Sequence, residues 1–594
     1  MKDRIKEKTI SDLKLSKQLL PFIKPYLWMF AVSIILVSIV IFLELLMPVL
    51  IKKALDGFIM PTNLQNETFL FGFHIKSFQT FCLIMLLYIF IFFVIDFFQS
   101  LFMEYTGQKI ILNLRTKLFS HMAFLPVKFY DKNLSGRLVS YAANDVENMN
   151  EMFSNILLFV LKDIILMAGV MVILFSIDIK LALYLSLLVP LVIISINLFS
   201  KFSRDAFRSM RKKISQINHN FSETIKGLKI IQTTTSRNRF FERFESLNFK
   251  HFTAALLQIK IFSIFMPLIG FLSILSIAII VHTGSLKVID NAMSLGELVA
   301  FLSYIRLFFR PLRELSEKFN LLQNALASAE RIINVLNVNK QETNKGKKNI
   351  DKIFHIAFEN LGFSYDKEKA LEPVLKNISF ELKKSKSIGF VGQTGAGKTS
   401  IANLISGFYK PDSGKILINN MDYNSISVKS VRDKIALVMQ DSFLFAGTIK
   451  ENISPPYKNI DEKFLHKALK DANCDFLYEK FSGLKTVIKE GGLPLSSGEK
   501  QLVCIARAFA INPDLIIFDE ATSNMDSFLE QKIHDAMKKL MEKRLAIVIA
   551  HRLSTIRNCD SIALIQNKTI KEKGTHYKLV KNKKDYYHLL KAEF

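Results

Sequence analysis

Ser387-Ile388-Gly389-Phe390-Val391-Gly392-Gln393-Thr394-Gly395-Ala396-Gly397-Lys398-Thr399-Ser400 decides the fold of the second half of this chain. Five largely apolar residues read as a buried strand. A glycine-rich turn follows, then a Lys-Thr pair, then a helical stretch opening at Ser400 and running to 405. This is the strand–loop–helix setting that a phosphate-binding loop requires. Its glycines let backbone N–H groups turn inward around phosphate oxygens, and the helix adds its positive N-terminal end. Lys398 is placed to reach the β- and γ-phosphates, and the Thr399 hydroxyl to bind Mg²⁺. Gly392, Gln393, Thr394, Gly395, Ala396, Gly397, Lys398, Thr399 and Ser400 are therefore the candidate nucleotide-binding residues. A ligand-free glycine turn is the bland alternative, and strand, spacing and Lys-Thr pair together argue against it.

Downstream, Leu515-Ile516-Ile517-Phe518 forms a second buried strand that carries Asp519 to its end. A carboxylate there can hold Mg²⁺ or its water shell. Glu520, next in sequence, is the natural general base for an attacking water. The acidic pair is weak evidence alone and gains force from the loop upstream. Short apolar strands alternate with amphipathic helices and Gly-rich turns through residues 353–594, which predicts an α/β domain. Residues 337–352 are rich in Lys, Asn, Glu and Gln and read as a linker.

Residues 1–336 have a different character. Apolar stretches at 28–51, 81–102, 156–177, 181–199, 261–281 and 295–309 are candidates to cross a bilayer, the last being short. Six crossings put both termini on one side. The long connections after the second and fourth stretches are basic, so they and the termini are expected in the cytoplasm. Their helical periodicity predicts helices running well past the membrane. The net charge of +26 then belongs to cytoplasmic loops, and a nucleic-acid partner is not expected. The four cysteines have no CxxC pair or metal-ligand spacing and read as free thiols. No cleavable signal peptide is expected, because the charged start leads into an apolar stretch that is too long.

Further motifs around the loop carry a resemblance. Tyr365 follows Phe363-Ser364, Gln440 follows Val438-Met439, Leu495-Ser496-Ser497-Gly498-Glu499-Lys500-Gln501 precedes the Asp519 strand, Ser523-Asn524-Met525-Asp526 follows it, and His551 follows Ile549-Ala550. In this order they resemble the ATP-binding cassette exporters, specifically half-transporters of the multidrug-resistance and lipid-flippase type. Phe129-Tyr130-Asp131, Gly136-Arg137, Glu223 and Gly227 look like that family's cytoplasmic coupling loops. The stretches beginning at Leu295 and Pro311, with residues 325–331, look like its last crossing and its exit. The resemblance implies a membrane all-α six-helix domain with long cytoplasmic extensions, followed by an α/β P-loop ATPase domain.

It also implies roles. Tyr365 would stack on adenine, Gln440 would sense Mg²⁺, and His551 would contact the γ-phosphate. Asp526 lies on a loop that runs between subunits. Ser496 and Gly498 would serve the nucleotide of a second half-transporter, so a dimer is implied, with ATP and Mg²⁺ between the subunits. The family's signature usually reads Leu-Ser-Gly-Gly-Gln, and here Ser497 and Glu499 depart from it. In heterodimeric members an intact base often accompanies an off-pattern signature, so an unlike partner is expected, with a homodimer as the alternative. Expected function is ATP-driven export or flipping of amphipathic drugs or lipids across a bacterial cell membrane. An importer on the same fold and an ATP-gated regulator stay open. Glu44 and Asp96 lie inside apolar stretches and are candidates to contact a cationic substrate; the plainer alternative is a cavity-facing or helix-end carboxylate. Asn66-Glu67-Thr68 is a sequon that means nothing in a bacterium.

Overall fold

The computed structural model describes residues 12–59, 68–70, 73–75, 77–153, 157–234, 237–340, 346, 348–366, 373–383, 385–454, 460–519, 527–550 and 553–593. The chain divides into a helical unit, Met1–Ala123 with Gly136–Val338, and an α/β unit, Phe124–Ser135 with Asn339–Phe594.

The apolar stretches of the helical unit lie in helices Leu27–Ala54, Phe78–Ala123, Leu157–Ile177, Ile179–Ser186 with Val189–Lys226, Arg237–Ile289 and Leu295–Leu336. Crossing a hydrocarbon core takes about 20 residues. At 1.5 Å rise, helices of 46, 53 and 42 residues reach roughly 30–50 Å further. Among the described residues, Gln18–Ile59, Phe78–Ala123, Ile179–Lys226 and Arg237–Ile289 are long and apolar enough to span. The stretch at 181–199 is not one helix. It breaks at Leu187–Leu188, where Pro190 enters the first turn of the next helix and fits because that turn's N–H groups have no helical partners. Asp178 caps the Ile179–Ser186 helix by accepting from the Leu181 amide at 3.0 Å.

One apolar core joins the last four of these apolar stretches, with Phe199 stacked on Phe265 and Phe301 and Tyr304 wholly buried. Elsewhere Phe90, Phe93, Ile264 and Phe271 are 60% exposed or more. Such a surface needs lipid or a second subunit to cover it. Polar groups gather at helix ends. Ser294 and Glu297 form a capping box at the start of Leu295–Leu336, and Glu297 also pairs with Lys52 at 2.8 Å. Asp56 accepts from the Ser294 hydroxyl and the Gly296 amide. Near the other end of that helix, Arg331 grips Asp145 through two N–H groups at 2.6 and 2.8 Å, and Ser328 adds a third bond.

In the α/β unit a six-stranded sheet runs in the order Thr569–Gly574, Ser561–Gln566, Ser387–Val391, Leu545–Ile549, Leu515–Asp519, Ile435–Val438. All pairings are parallel except the first. Side chains alternate across it: Ile516 and Phe518 enter the core with the Ser497–Ile511 helix, while Leu515 and Ile517 enter the core with Lys398–Ile405. Burial on both faces explains why these strands read as unbroken apolar runs. A four-stranded antiparallel sheet, Leu375–Lys383, His355–Phe363, Ser413–Ile418, Met421–Asp422, closes the second core.

Two sequence-distant pieces join this unit. Phe124–Ser135 contributes the Val127–Lys132 helix, whose Phe129 is buried. Residues 348–353, inside or beside the stretch read as linker, already belong to the fold: Lys348 bridges to Ile426, and Ile350 and Ile353 are buried.

Candidate active site and membrane cavity

Parallel strands end at a common edge, and ligands in such sheets bind beyond their carboxyl ends. The Ser387–Val391 strand delivers the glycine loop there, and the helix begins at Lys398, two residues before the predicted Ser400. Gly397 caps that helix at φ +97°, a left-handed conformation that a side chain would strain. The buried Lys398 ammonium donates to the carbonyls of Gly392 at 2.7 Å and Gln393 at 3.1 Å. The Thr399 hydroxyl donates to Asp519 Oδ1 at 3.2 Å. Strand register brings about this meeting: Asp519 pairs with Ile549, whose strand in turn pairs with Ser387–Val391. A hydroxyl and a carboxylate side by side on a phosphate loop form a hard oxygen donor set that suits Mg²⁺.

Gln440 follows the Ile435–Val438 strand, whose Val438 pairs with Phe518 beside Asp519. It is exposed on a loop at the same edge. Tyr365 is also brought close: its hydroxyl hydrogen-bonds Ser400 Oγ at 2.9 Å and accepts from Asn403 at 3.2 Å. Its ring packs edge-on against Phe363 and Tyr409. Glu520, Asp526 and His551 lie outside the described residues. The described strand residues Asp519 and Ile549 pair with each other at the sheet's carboxyl edge.

The signature segment forms a different surface. Ser496 caps the Ser497–Ile511 helix in a capping box with Glu499: the Ser496 amide donates to Glu499 Oε2 at 2.9 Å, and the Glu499 amide donates to Ser496 Oγ at 3.3 Å. Burial works to raise the Glu499 carboxyl, but the Ser496 hydrogen bonds and the Lys480 ammonium outweigh it and hold the group below its ordinary range. Ser496 and Ser497 are exposed at the positive end of this 15-residue helix. Gly498 is buried, and a Cβ there would lie 2.9 Å from Leu529 Cδ1.

Sequence motifs gave no role to Gln501, which has no exposed surface. Its side chain accepts from the Ser442 hydroxyl and donates to the Met439 carbonyl at 3.3 Å. The signature helix thereby clasps the loop carrying Gln440. Arg507, two turns on, donates to the Asn452 and Phe443 carbonyls and fastens the other end of that loop. Both side chains point across to a segment some 60 positions earlier, which no local pattern reveals.

The segment Phe124–Ser135 is anchored within the α/β unit. The Tyr409 hydroxyl donates to Asp131, and Lys132 pairs with Asp366 at 3.4 Å. Burial, then the Asp131 hydrogen bond and charge, push the Tyr409 phenol well up.

In the helical unit a cavity of about 820 Å³ is lined by Glu44, Tyr88, Phe92, Arg306, Arg310 and Arg313 among others. Glu44 faces this cavity and pairs with Arg310 at 2.5 Å. Asp96 does not line it.

The family profile described as the ABC transporter transmembrane region matches residues 30–312, and the ABC transporter profile matches 375–523. An ATP-dependent lipid A-core flippase of Syntrophus aciditrophicus is 31% identical, covering 97% of this chain and 94% of its own. A fatty acid ABC transporter ATP-binding/permease protein of Mycobacterium bovis is 33% identical over 83% of this chain and 78% of its own. A bacterial Atm1-family ABC exporter solved with ATP bound has the same fold, with a TM-score of 0.78 at 24% identity over 95% of this chain and 98% of that one. The two profiles match one half of the chain each and the relatives match it over most of their length, so the chain belongs to the ABC transporters, as an ATP-hydrolysing exporter subunit that passes the membrane several times and keeps its ATPase domain in the cytoplasm.

Proposed function

We propose that this subunit binds MgATP with Gly392–Ser400, Thr399, Asp519 and Gln440, and hydrolyses it with Glu520 as general base. The hydrogen bond between Thr399 and Asp519 carries the proposal, because it joins a hydroxyl and a carboxylate at the mouth of the phosphate loop. Bound Mg²⁺ would supply charge stabilisation on the phosphoryl oxygens. Lys398 would exchange the Gly392 and Gln393 carbonyls for phosphate oxygens. His551 would contact the γ-phosphate and Tyr365 the adenine. Glu520→Gln is expected to lower ATP turnover by at least a hundredfold, in the range for loss of a general base. Retained turnover in that variant overturns the assignment.

ABC exporters work as dimers. Ser496, at the exposed start of a long helix, and the buried Gly498 just behind it suit the phosphates of a partner's nucleotide. Glu499 is accommodated by its own capping box, so Ser497 is the departure that a partner site would feel. We therefore favour an unlike second half-transporter. The purified chain alone should hydrolyse ATP slowly; rapid turnover abolished by Glu520→Gln would establish a homodimer instead. Its relatives' names, a lipid A-core flippase and a fatty acid transporter, support amphipathic cargo moved by alternating access. ATP-dependent movement of labelled amphiphile in sealed vesicles tests this.

A further inference from the structure

Arg306, Arg310 and Arg313 stand at i, i+4 and i+7 of the Leu295–Leu336 helix and therefore share one face. All three line the 820 Å³ cavity. With the helix start taken as the membrane boundary, 1.5 Å per residue would put Arg306 about 16 Å deep, near the middle of a hydrocarbon layer of ~30 Å. Arginine at that depth is costly and marks a function unless it is paired. Among the described residues only Arg310 of these three is paired: Glu44 takes it at 2.5 Å, using one oxygen, while the buried Glu44 Oε2 has no partner. Among the described residues, Arg306 and Arg313 are in no ion pair. The other cavity walls contribute no second carboxylate: Leu27–Ala54 gives Glu44, Phe78–Ala123 gives Tyr88, and Arg237–Ile289 gives Ser273. Apolar walls adjoin the arginines, with Phe92, Ile274 and Ile277 prominent.

We propose that this cavity recognises an amphiphile with an anionic headgroup, a carboxylate or a phosphate, held by Arg306 and Arg313 while its tail lies against Phe92, Ile274 and Ile277. This deepens the exporter assignment and rests on it. A planar guanidinium binds such oxyanions through two parallel N–H bonds, so the pair offers both charge and geometry. The volume of about 820 Å³ lies within the ~300–1,000 Å³ of pockets that enclose a drug-sized ligand, room for a headgroup and the adjoining part of a tail. Glu44, a candidate contact for a cation, becomes instead the group that ties down Arg310. Its removal frees a third guanidinium.

The test uses full-length protein reconstituted with whatever partner it requires. Dissociation constants are measured for fluorescent phosphatidylglycerol and fluorescent stearate, against phosphatidylcholine carrying the same dye and a cationic rhodamine. The anionic probes should bind about tenfold tighter than the zwitterionic one. Arg306→Gln with Arg313→Gln should abolish that difference, Arg306→Lys with Arg313→Lys should keep most of it, and Glu44→Gln should increase it. A structural role for the arginines does not produce these opposite signs. The ranking of phosphatidylglycerol against stearate tells phosphate from free carboxylate. Equal binding of anionic and zwitterionic probes, or rhodamine binding lost in Glu44→Gln, overturns the proposal. ATP-driven movement is read separately in sealed vesicles. Arginine-dependent binding without movement leaves this site standing and refutes export; movement indifferent to the arginines does the reverse.

Discussion

Thr399 and Asp519 are 120 residues apart in sequence and share one hydrogen bond. Both were legible because a loop motif and a strand-end carboxylate each have a local pattern, and parallel register does the rest. Asp519→Asn is expected to raise the Mg²⁺ concentration for half-maximal ATPase at least tenfold, measured by metal titration. Glu499 was legible only as a departure from pattern; its capping role needed the helix start to be seen. Glu499→Ala should cost about 1 kcal/mol of stability, as loss of a helix cap does, whereas Glu499→Gln, which can still cap, should cost less. Thermal unfolding of the purified protein measures both. Because the folded carboxyl is held low, its contribution is complete above about pH 4.5 and is lost as pH falls through the lower folded value. The wild-type advantage over Glu499→Ala should shrink over that acid interval. Gly498→Ala, which drives a methyl into Leu529, should destabilise by about 1–3 kcal/mol.

Elements were legible wherever one periodicity lasted. The strands of the parallel sheet and the long helices emerged from unbroken apolar runs or helical spacing. Boundaries were less visible. The break at Leu187–Leu188 lies inside an apolar run, where hydropathy cannot mark the end of one helix and the start of another. Residues 348–353 look like linker because Lys and Asn surround Ile350 and Ile353, yet those two isoleucines are buried. The segment Phe124–Ser135 showed a family likeness, but its anchorage did not, since Asp131 and Lys132 meet Tyr409 and Asp366 more than 230 residues on. Tyr409→Phe removes the hydroxyl that Asp131 accepts. It should reduce the stimulation of ATPase by transported amphiphile at least twofold while basal ATPase persists. Equal loss of both would show that the bond supports folding of the α/β unit and not coupling.

At the scale of the whole molecule, composition alone announced a membrane half, and the exposed phenylalanines of that half explain why the composition is so apolar. Cargo chemistry was not legible, because Arg306, Arg310 and Arg313 sit at the end of the shortest apolar stretch and look like its cytoplasmic flank until the cavity is seen. The clasp made by Gln501 has a consequence for the assembled pair. On the proposed assignment the Gln440 loop would attend to the subunit's own nucleotide, and the start of the signature helix to its partner's. One amide side chain joins them, so any coupling that it carries between the two sites must be equal in both directions. We expect filling of one site to favour the other, giving a Hill coefficient above one. Gln501→Ala should bring that coefficient toward one in nucleotide-binding isotherms while each site still fills, turning a concerted pair of events into two independent ones.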